Sequence, residues 1–198
     1  MISIEKKFVF VHIPRCAGTS IEKVISPFCL PLEGRTDKTR PYSPKHDTIG
    51  QYANSFDLRG FYRFSFVRHP LTRMISIYKW GGEIAMLRKG VGWKSPSFNT
   101  WITSDEWRIG WIEDGKYVLP PFKRTQSRWL RGKIDMVGKF ENLDNDWQVI
   151  ASRLGLPAPL PKLHFTSSEV VVKPNKLAKA IIYTHFREDL ERFGYEKL

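Results

Sequence analysis

The sequence predicts an α/β fold: a three-layer domain in which helices flank a mainly parallel central sheet. Two apolar runs of strand length, KFVFVHI at 7–13 and FYRFSFV at 61–67, are typical of strands covered on both faces. Segments with helical features follow both runs, and strands that alternate with helices indicate parallel crossover units. The chain has 198 residues, enough for one sizeable core, so we expect a single domain over 1–198.

The first strand is followed by a loop and a helix. This helix is predicted over 19–26 and is ended by Pro27. Residues 30–45 contain three prolines and one glycine, which predicts an irregular connection. Residues 46–56 can form a short helix before the second strand.

The helix after the second strand is predicted over 69–80. Pro70 lies in its first turn, where the missing N–H costs nothing. Leu71, Ile75 and Tyr78 recur at helical spacing, and we expect these three apolar side chains to face the sheet.

Residues 81–121 interrupt the alternation with glycines, prolines and four tryptophans, which predicts an insert. The sequence then predicts, in order, a helix at 122–130, a strand at 134–140, a helix at 142–154 that ends at Gly155, a proline-rich passage at 156–164 and a helix at 175–193.

Charge and hydropathy narrow the possible partners. The net charge of +12 and the pI near 9.8 attract anions such as nucleic acid, an acidic polysaccharide or a phosphorylated cofactor. The basic residues form no long Lys/Arg tail, so charge alone does not choose among these.

No apolar run approaches the ~20 residues of a membrane helix, and the residues before the first strand are unlike a secretion signal. We expect a cytoplasmic protein without a membrane segment.

Cysteine content argues against a disulfide framework and against a zinc site. Cys16 and Cys29 are the only cysteines, and Cys16 falls in the loop after the first strand. Both are predicted to be free thiols.

The segment PRCAGTS, between the first strand and its helix, has the residue types of an anion-binding loop. Loops at the carboxyl ends of buried parallel strands bind ligands, and the first turn of a helix presents N–H groups with partial positive charge. Ala17 and Gly18 let backbone N–H groups approach an anion, Thr19 and Ser20 add hydroxyl donors, and Arg15 adds a positive charge.

This loop is half of a nucleotide-binding loop. A kinase-type loop reads G-x-x-x-x-G-K-[ST] and uses its lysine and hydroxyl on the terminal phosphates and magnesium. Here Thr19 stands at the position of that lysine, and no glycine precedes the loop. The loop therefore favours a phosphorylated donor that is handled without a magnesium clamp, and we expect no metal.

The segment FVRHPLTRMISIY repeats this arrangement at the second strand. Arg68 lies at the carboxyl end of the strand, and the following helix carries Arg73 and Ser76 three residues apart. A second anion can be held between Arg68 and Ser76, although a surface ion pair of Arg68 is the simpler alternative. Two anion sites at adjacent strand ends indicate a nucleotide with phosphates on both sides of its ribose.

With these two motifs the chain resembles the sulfotransferases that use 3′-phosphoadenosine 5′-phosphosulfate (PAPS), in particular the branch of heparan-sulfate-type carbohydrate O-sulfotransferases. FVHIPRCAGTSIE is similar to the 5′-phosphosulfate loop of that family, and FVRHPLTRMISIY to its 3′-phosphate motif. IDMVGKFENLDNDWQVIASRLGL and REDLERFGY are similar to later segments, whereas 81–121 shows little likeness. The resemblance implies a P-loop-NTPase-like variant of the predicted fold.

The resemblance also implies which residues bind the donor. The residues that would hold the 5′-phosphosulfate are Arg15, Cys16, Ala17, Gly18, Thr19 and Ser20. Arg68 and Ser76 would hold the 3′-phosphate. The family usually has lysine at the position of Arg15 and often threonine at that of Cys16, and arginine is a larger, planar donor than lysine.

Sulfuryl transfer needs an acceptor oxygen in line with the sulfur and stabilisation of charge on the leaving phosphate. Arg15 is the predicted catalytic donor to that phosphate. His46 is the predicted general base, because related carbohydrate sulfotransferases place a His or Glu between the two nucleotide motifs, and Asp47 is the substitute if the register differs by one. His12 and His69 are predicted to be structural.

The acceptor is predicted to be a hydroxylated molecule, with a saccharide or an acidic glycan as the favoured class and a small hydroxylated metabolite as the alternative that also fits the charge. The insert is expected to line the acceptor side, where its tryptophans can stack on sugar rings or simply pack as cover. These tryptophans are Trp93, Trp101, Trp107 and Trp111.

Two other functions stay open at this point. One is a P-loop small-molecule kinase, which predicts magnesium-dependent ATP binding. The other is a non-catalytic nucleic-acid-binding module, which predicts strongly salt-dependent binding. No recognition signature for duplex or single strands is present, so we expect no nucleic-acid partner.

Overall fold

The computed structural model describes residues 1–31, 46–89, 96–104, 111–113, 116–118, 124–161, 163 and 171–198. The chain forms two compact units. The first comprises Met1–Arg68 and Gln126–His164, and the second comprises His69–Thr125 and Phe165–Leu198. The single domain expected over 1–198 stays a prediction.

Strands and helices alternate through much of the described chain. The elements are, in order, β1 (Ile2–Ser3), β2 (Phe8–Val11), α1 (Gly18–Ile25), α2 (Ile49–Ser55), β3 (Tyr62–Val67), α3 (Pro70–Lys89), α4 (Phe98–Thr103), β4 (Trp111–Glu113), β5 (Lys116–Val118), α5 (Gln126–Trp129), β6 (Met136–Lys139), α6 (Leu143–Leu154), α7 (Lys176–His185) and α8 (Arg187–Phe193).

A four-stranded sheet in the order β1-β2-β3-β6 lies in the first unit. β2 pairs in parallel with β3, and β3 pairs in parallel with β6, so the three strands end at the same edge. The prediction of a mainly parallel sheet flanked by helices is confirmed. β1 pairs antiparallel with β2 and was not predicted, because a strand of two residues is too short to show a hydrophobic period.

The sheet is stabilised by buried aromatic side chains on neighbouring strands. All four residues of β2 are buried, as the apolar run predicted. The rings of Phe10 on β2 and Phe64 on β3 stack with centroids 5.2 Å apart. The Ser65 hydroxyl donates a 2.7 Å hydrogen bond to the Val11 carbonyl, which satisfies a buried polar side chain between the same strands.

The predicted helices of the first unit are confirmed near their predicted bounds. α1 begins one residue earlier than predicted, and a 3-10 turn at Ser26–Phe28 follows it. α2 begins with a capping box between Thr48 and Gln51. α6 ends at the left-handed Gly155 as predicted, whereas α5 is shorter than the predicted helix at 122–130.

The second unit has a core built from helices α3, α4, α7 and α8. Its buried members are Leu71, Met74, Ile77, Phe98, Ile102, Ala178, Ile182, Tyr183, Phe186 and Leu190. Ile75 and Tyr78 are partly buried against the same cluster. Within this unit, the side chains of Leu71, Ile75 and Tyr78 therefore pack among helices. The most buried apolar positions of α3 are Leu71, Met74 and Ile77.

Two helix boundaries in the second unit differ from the prediction. α3 continues to Lys89, nine residues beyond the predicted end at residue 80, so the predicted insert begins as helix. Glycine in a helix costs only about 1 kcal/mol relative to alanine and keeps the N–H that proline lacks, so Gly81 does not end the helix. The single helix predicted over 175–193 is two helices, α7 and α8, which meet at the fully buried and non-helical Phe186.

Candidate active site

The β2–α1 loop (residues 12–17) contains two residues in the left-handed region of backbone space. Arg15 has φ 68° and Ala17 has φ 62°, and neither is glycine. Such residues cost of order 1–3 kcal/mol and persist only where the surrounding structure holds them, which is frequent at ligand sites. Ala17 is the N-cap of α1, so the strained loop leads directly into the helix.

Gly18, the first residue of α1, lies directly against the side chain of His12. A Cβ atom on Gly18 would be 1.8 Å from the Nε2 atom of His12, so only glycine fits. His12 is buried, its ring stacks on Phe10 with centroids 5.6 Å apart, and its Nδ1 lies 3.8 Å from the Glu22 carboxylate. The prediction that His12 is structural agrees with this packing.

The donor groups of the first turn of α1 fall into two sets. The first N–H groups to bond within the helix are those of Ser20 and Ile21, both to the Ala17 carbonyl, so the N–H groups of Gly18 and Thr19 precede the helical ladder. The Thr19 side chain is exposed. The Ser20 hydroxyl is buried instead and accepts a 3.3 Å hydrogen bond from the Leu163 N–H.

The Cys16 side chain points into the first unit. It is 1% exposed, and its Sγ lies 3.2 Å from Oε1 of Gln126, to which it donates. Any contact of Cys16 with a ligand in the loop would therefore come from its backbone. Neither Cys16 nor Cys29 forms a disulfide, as predicted.

Arg68 follows β3 and is held at its backbone and at its side chain. The Gln126 amide accepts from the Arg68 N–H and donates to the Arg68 carbonyl, both at 2.8 Å. The guanidinium of Arg68 lies over the Phe140 ring, 4.0 Å from its centroid. Cys16 and Arg68 thus share one partner, which brings together the ends of β2 and β3.

Gln126 was missed by the sequence reasoning. It is fully buried at the start of α5. The only signal available was its place in a predicted helix, and glutamine is common on helix surfaces, so nothing in the pattern distinguished it.

His46 lies beside the same loop. Its Nδ1 is 3.0 Å from the His12 carbonyl, and the two imidazole rings are 4.6 Å apart. Because a carbonyl can only accept, Nδ1 carries the proton in the neutral ring, and Nε2 carries the lone pair that can take up another. The Trp129 Nε1–H donates to the His46 carbonyl at 3.1 Å. Asp47, the predicted substitute, is buried.

The second motif continues in the second unit. Ser76 is buried on α3, and the 1% exposed Arg73 donates a 3.2 Å hydrogen bond from Nη1 to the Arg124 carbonyl. The pairing of Arg68 with Ser76 around one phosphate stays a prediction. His69 is structural, as predicted: its Nδ1 accepts from the Leu71 N–H at the start of α3.

The tryptophans of the predicted insert and the two remaining histidines lie partly outside the described residues. Trp101 is partly buried and packs on Phe98 and Tyr78 in the second unit, which favours cover over a sugar platform. The side chains of Trp93, Trp107 and Trp111 and the whole of His164 lie outside the described residues, and His185 is exposed.

The described residues show neither a metal-binding cluster nor a membrane-spanning helix. No group of three His, Cys, Asp or Glu side chains among them is arranged to hold a metal ion. None of the helices in those parts of the chain combines the length and apolar character of a membrane span.

Comparison with known proteins identifies a family. The model of the sulfotransferase family matches residues 1–116, a segment that contains the β2–α1 loop, His46 and Arg68. No curated protein and no solved structure matches the chain.

Proposed function

The chain belongs to the sulfotransferase family, and on that premise we propose that it transfers a sulfuryl group from PAPS to a hydroxyl group of a saccharide. The family match supports sulfuryl transfer in general. The donor, the acceptor class and the residue roles given below are our proposal.

The observation that carries the proposal is the shared partner of the two predicted nucleotide motifs. Oε1 of Gln126 lies 3.2 Å from Sγ of Cys16 and 2.8 Å from the Arg68 nitrogen. The loop predicted to bind the 5′-phosphosulfate and the arginine predicted to bind the 3′-phosphate are therefore neighbours. A nucleotide phosphorylated on both sides of its ribose carries two anionic groups on one molecule, so its two binding motifs must be neighbours.

The residues of the β2–α1 loop fit a phosphate-like group. Gly18 lets α1 start directly against the buried His12 ring, and its N–H group is one of the two that precede the helical ladder. The N–H groups that start α1 and the positive charge of Arg15 are the donors for the phosphate that leaves during transfer. Thr19 adds an exposed hydroxyl.

His46 is the proposed general base. In the transfer, the acceptor oxygen forms a bond to sulfur while the bond from sulfur to the 5′-phosphate oxygen breaks, and the hydroxyl proton moves to Nε2 of His46. The contact of Nδ1 with the His12 carbonyl fixes the tautomer that this role requires. Base assistance of this kind contributes about 10²- to 10⁴-fold to the rate.

The proposed acceptor is a saccharide, with an acidic glycan as the favoured class. The support is the net charge of +12, which attracts polyanions over a long range and speeds their association. An assay of sulfate transfer from PAPS onto neutral glycans, acidic glycans and small alcohols tests the acceptor class. Transfer to the alcohols alone would contradict it.

Donor binding is tested by thermal unfolding with three ligands: adenosine 3′,5′-bisphosphate without metal, ATP with magnesium, and an oligonucleotide. A ligand that binds the folded state raises the melting temperature by mass action. We expect a large shift with the bisphosphate only. A shift with ATP and magnesium alone would indicate a kinase, and a shift with the oligonucleotide alone a nucleic-acid-binding module.

Arg68→Ala should remove most of the shift produced by the bisphosphate and leave binding that is weak but measurable by titration calorimetry. The matched control is Arg59→Ala, which removes the same charge from an exposed turn where Arg59 pairs with Asp57. This control should keep the full shift. Equal shifts in both variants would remove Arg68 from the proposed site.

A further inference from the structure

Gln126 connects both predicted nucleotide motifs, although it belongs to neither. We propose that Gln126 is a positioning residue, which holds Arg68 and the β2–α1 loop in the relative placement that one bisphosphorylated nucleotide requires. This inference rests on the proposed function.

The Gln126 side chain replaces a strand partner at the end of β3. The parallel ladder between β3 and β6 ends at the pair Val67 and Lys139, so Arg68 is the first residue beyond it. There the Gln126 amide makes both main-chain hydrogen bonds of Arg68, each 2.8 Å long. The direction of the Arg68 backbone, and with it the start of the Arg68 side chain, is set by this amide.

The same amide reaches the other motif. Its Oε1 also accepts from Sγ of Cys16 at 3.2 Å, in the middle of the β2–α1 loop. One oxygen atom therefore has a donor from each motif, and a shift of one motif is transmitted to the other. A misplacement of about 1 Å at a catalytic site can cost on the order of 10²-fold in rate.

Gln126 is itself held firmly. It is fully buried, as are Ser127 and Trp129 in the same short helix, and the Trp129 Nε1–H donates to the His46 carbonyl. α5 therefore contacts the loop, Arg68 and the proposed base. Buried polar networks in which the members are bonded specify one arrangement of their parts.

The first test measures the affinity for adenosine 3′,5′-bisphosphate by titration calorimetry in the wild type and in Gln126→Met. Methionine keeps the approximate volume and removes both polar atoms, so we expect binding to weaken by about tenfold. Gln148→Met, at an exposed glutamine on α6, is the matched control and should bind as the wild type does. Circular dichroism checks that each variant is folded.

A double-mutant cycle separates positioning from general destabilisation. Because Gln126 acts partly through Arg68, the Gln126→Met change should weaken binding by a clearly smaller factor when Arg68 is already alanine. A merely structural role would weaken binding by the same factor in both backgrounds.

A second variant supplies a pH signature. A protonated carboxyl has one O–H donor and one acceptor oxygen, as the amide does, whereas a carboxylate lacks the donor to the Arg68 carbonyl. For Gln126→Glu, we compare its dissociation constant with that of the wild type at each pH. The ratio of the two constants should decrease as the pH is lowered from about 8 to about 5.5, because burial raises the pKa of a carboxyl group and the protonated form restores the donor. The ratio for Gln126→Met should stay constant.

The outcomes are distinguishable. Failure of the wild type to bind the bisphosphate would overturn the proposed function itself. Wild-type binding together with unchanged affinities in both Gln126 variants, or an undiminished effect of Gln126→Met without the Arg68 side chain, would overturn the positioning role alone. If Gln126→Met does not fold, the pH dependence of Gln126→Glu decides: a flat ratio overturns the inference.

Discussion

The His12 imidazole occupies the space that a side chain at position 18 would need, since a Cβ atom on Gly18 would lie 1.8 Å from Nε2 of His12. Gly18→Ala must therefore displace either the buried ring or the first turn of α1. We expect a loss of about 1–3 kcal/mol in unfolding free energy, as for other overpacked sites, and a loss of bisphosphate binding. Denaturant unfolding and calorimetry measure the two effects.

Two variants control for the Gly18 experiment. Gly50→Ala in α2 meets no atom closer than 3.9 Å, so it should fold and bind normally. His12→Ala should remove most of the stability cost of Gly18→Ala, because the clashing ring is gone. If the loss of unfolding free energy in the Gly18→Ala/His12→Ala double variant equals the sum of the losses in the two single variants, the contact with His12 does not determine the residue at position 18.

His46→Ala should lower kcat by about 10²- to 10⁴-fold while adenosine 3′,5′-bisphosphate binds with unchanged affinity. The physical reason is that Nε2 is the proposed proton acceptor and takes no part in donor binding. His185→Ala, at an exposed histidine on α7, is the control. Near-normal turnover by folded His46→Ala would show that another group is the base.

Phe140→Leu tests the contact between the Phe140 ring and the Arg68 guanidinium, which are 4.0 Å apart. A partly exposed cation–π contact contributes about 0.5–1 kcal/mol, so bisphosphate affinity should fall by about two- to fivefold. Phe28→Leu removes an equivalent contact with Lys6, at 4.8 Å, and should leave affinity unchanged. An equal decrease in both variants would point to lost stability as the cause.

Cys29 should react slowly with alkylating reagents. Burial raises the pKa of the Cys29 thiol from 9.0 to about 11. Because the thiolate is the reactive form, only roughly one molecule in a thousand is reactive at about pH 8, and the alkylation rate should rise with pH until about pH 11. Peptide mapping by mass spectrometry follows Cys29 separately from Cys16, and a plateau near pH 9 would contradict the raised pKa.

Much of the first unit could be predicted from the sequence. The run at 7–13 is nearly continuously apolar, a pattern typical of buried parallel strands, and in the run at 61–67 only Arg63 and Ser65 interrupt the apolar residues. The short edge strand β1 could not be predicted, since its two residues carry no periodicity.

The helices of the second unit show a different limit. The sequence predicted one continuous helix over 175–193, whereas the backbone at the fully buried Phe186 is not helical, and nothing in the local sequence indicated that break. The extension of α3 through Gly81 likewise depends on context, because the penalty for glycine is small enough for packing to outweigh it.

In the candidate site, motif and spacing identified the backbone of the β2–α1 loop but not the directions of its side chains. Cys16 was predicted to bind the donor, and its Sγ faces Gln126 in the interior. Gln126 is more than one hundred residues away in sequence, and a contact over such a separation leaves no local pattern. A sequence motif thus predicts a candidate binding loop more readily than the distant buried residues that contact it.

The positive φ angles of Arg15 and Ala17 have a consequence for engineering. Glycine at position 17 relieves the steric conflict of that conformation, so a selection for heat resistance alone would favour it early. The loop with glycine would then have more conformations available before substrate binds. Turnover would therefore decrease while thermal stability increased. On the proposed function, residues 15–17 would therefore set heat resistance against turnover.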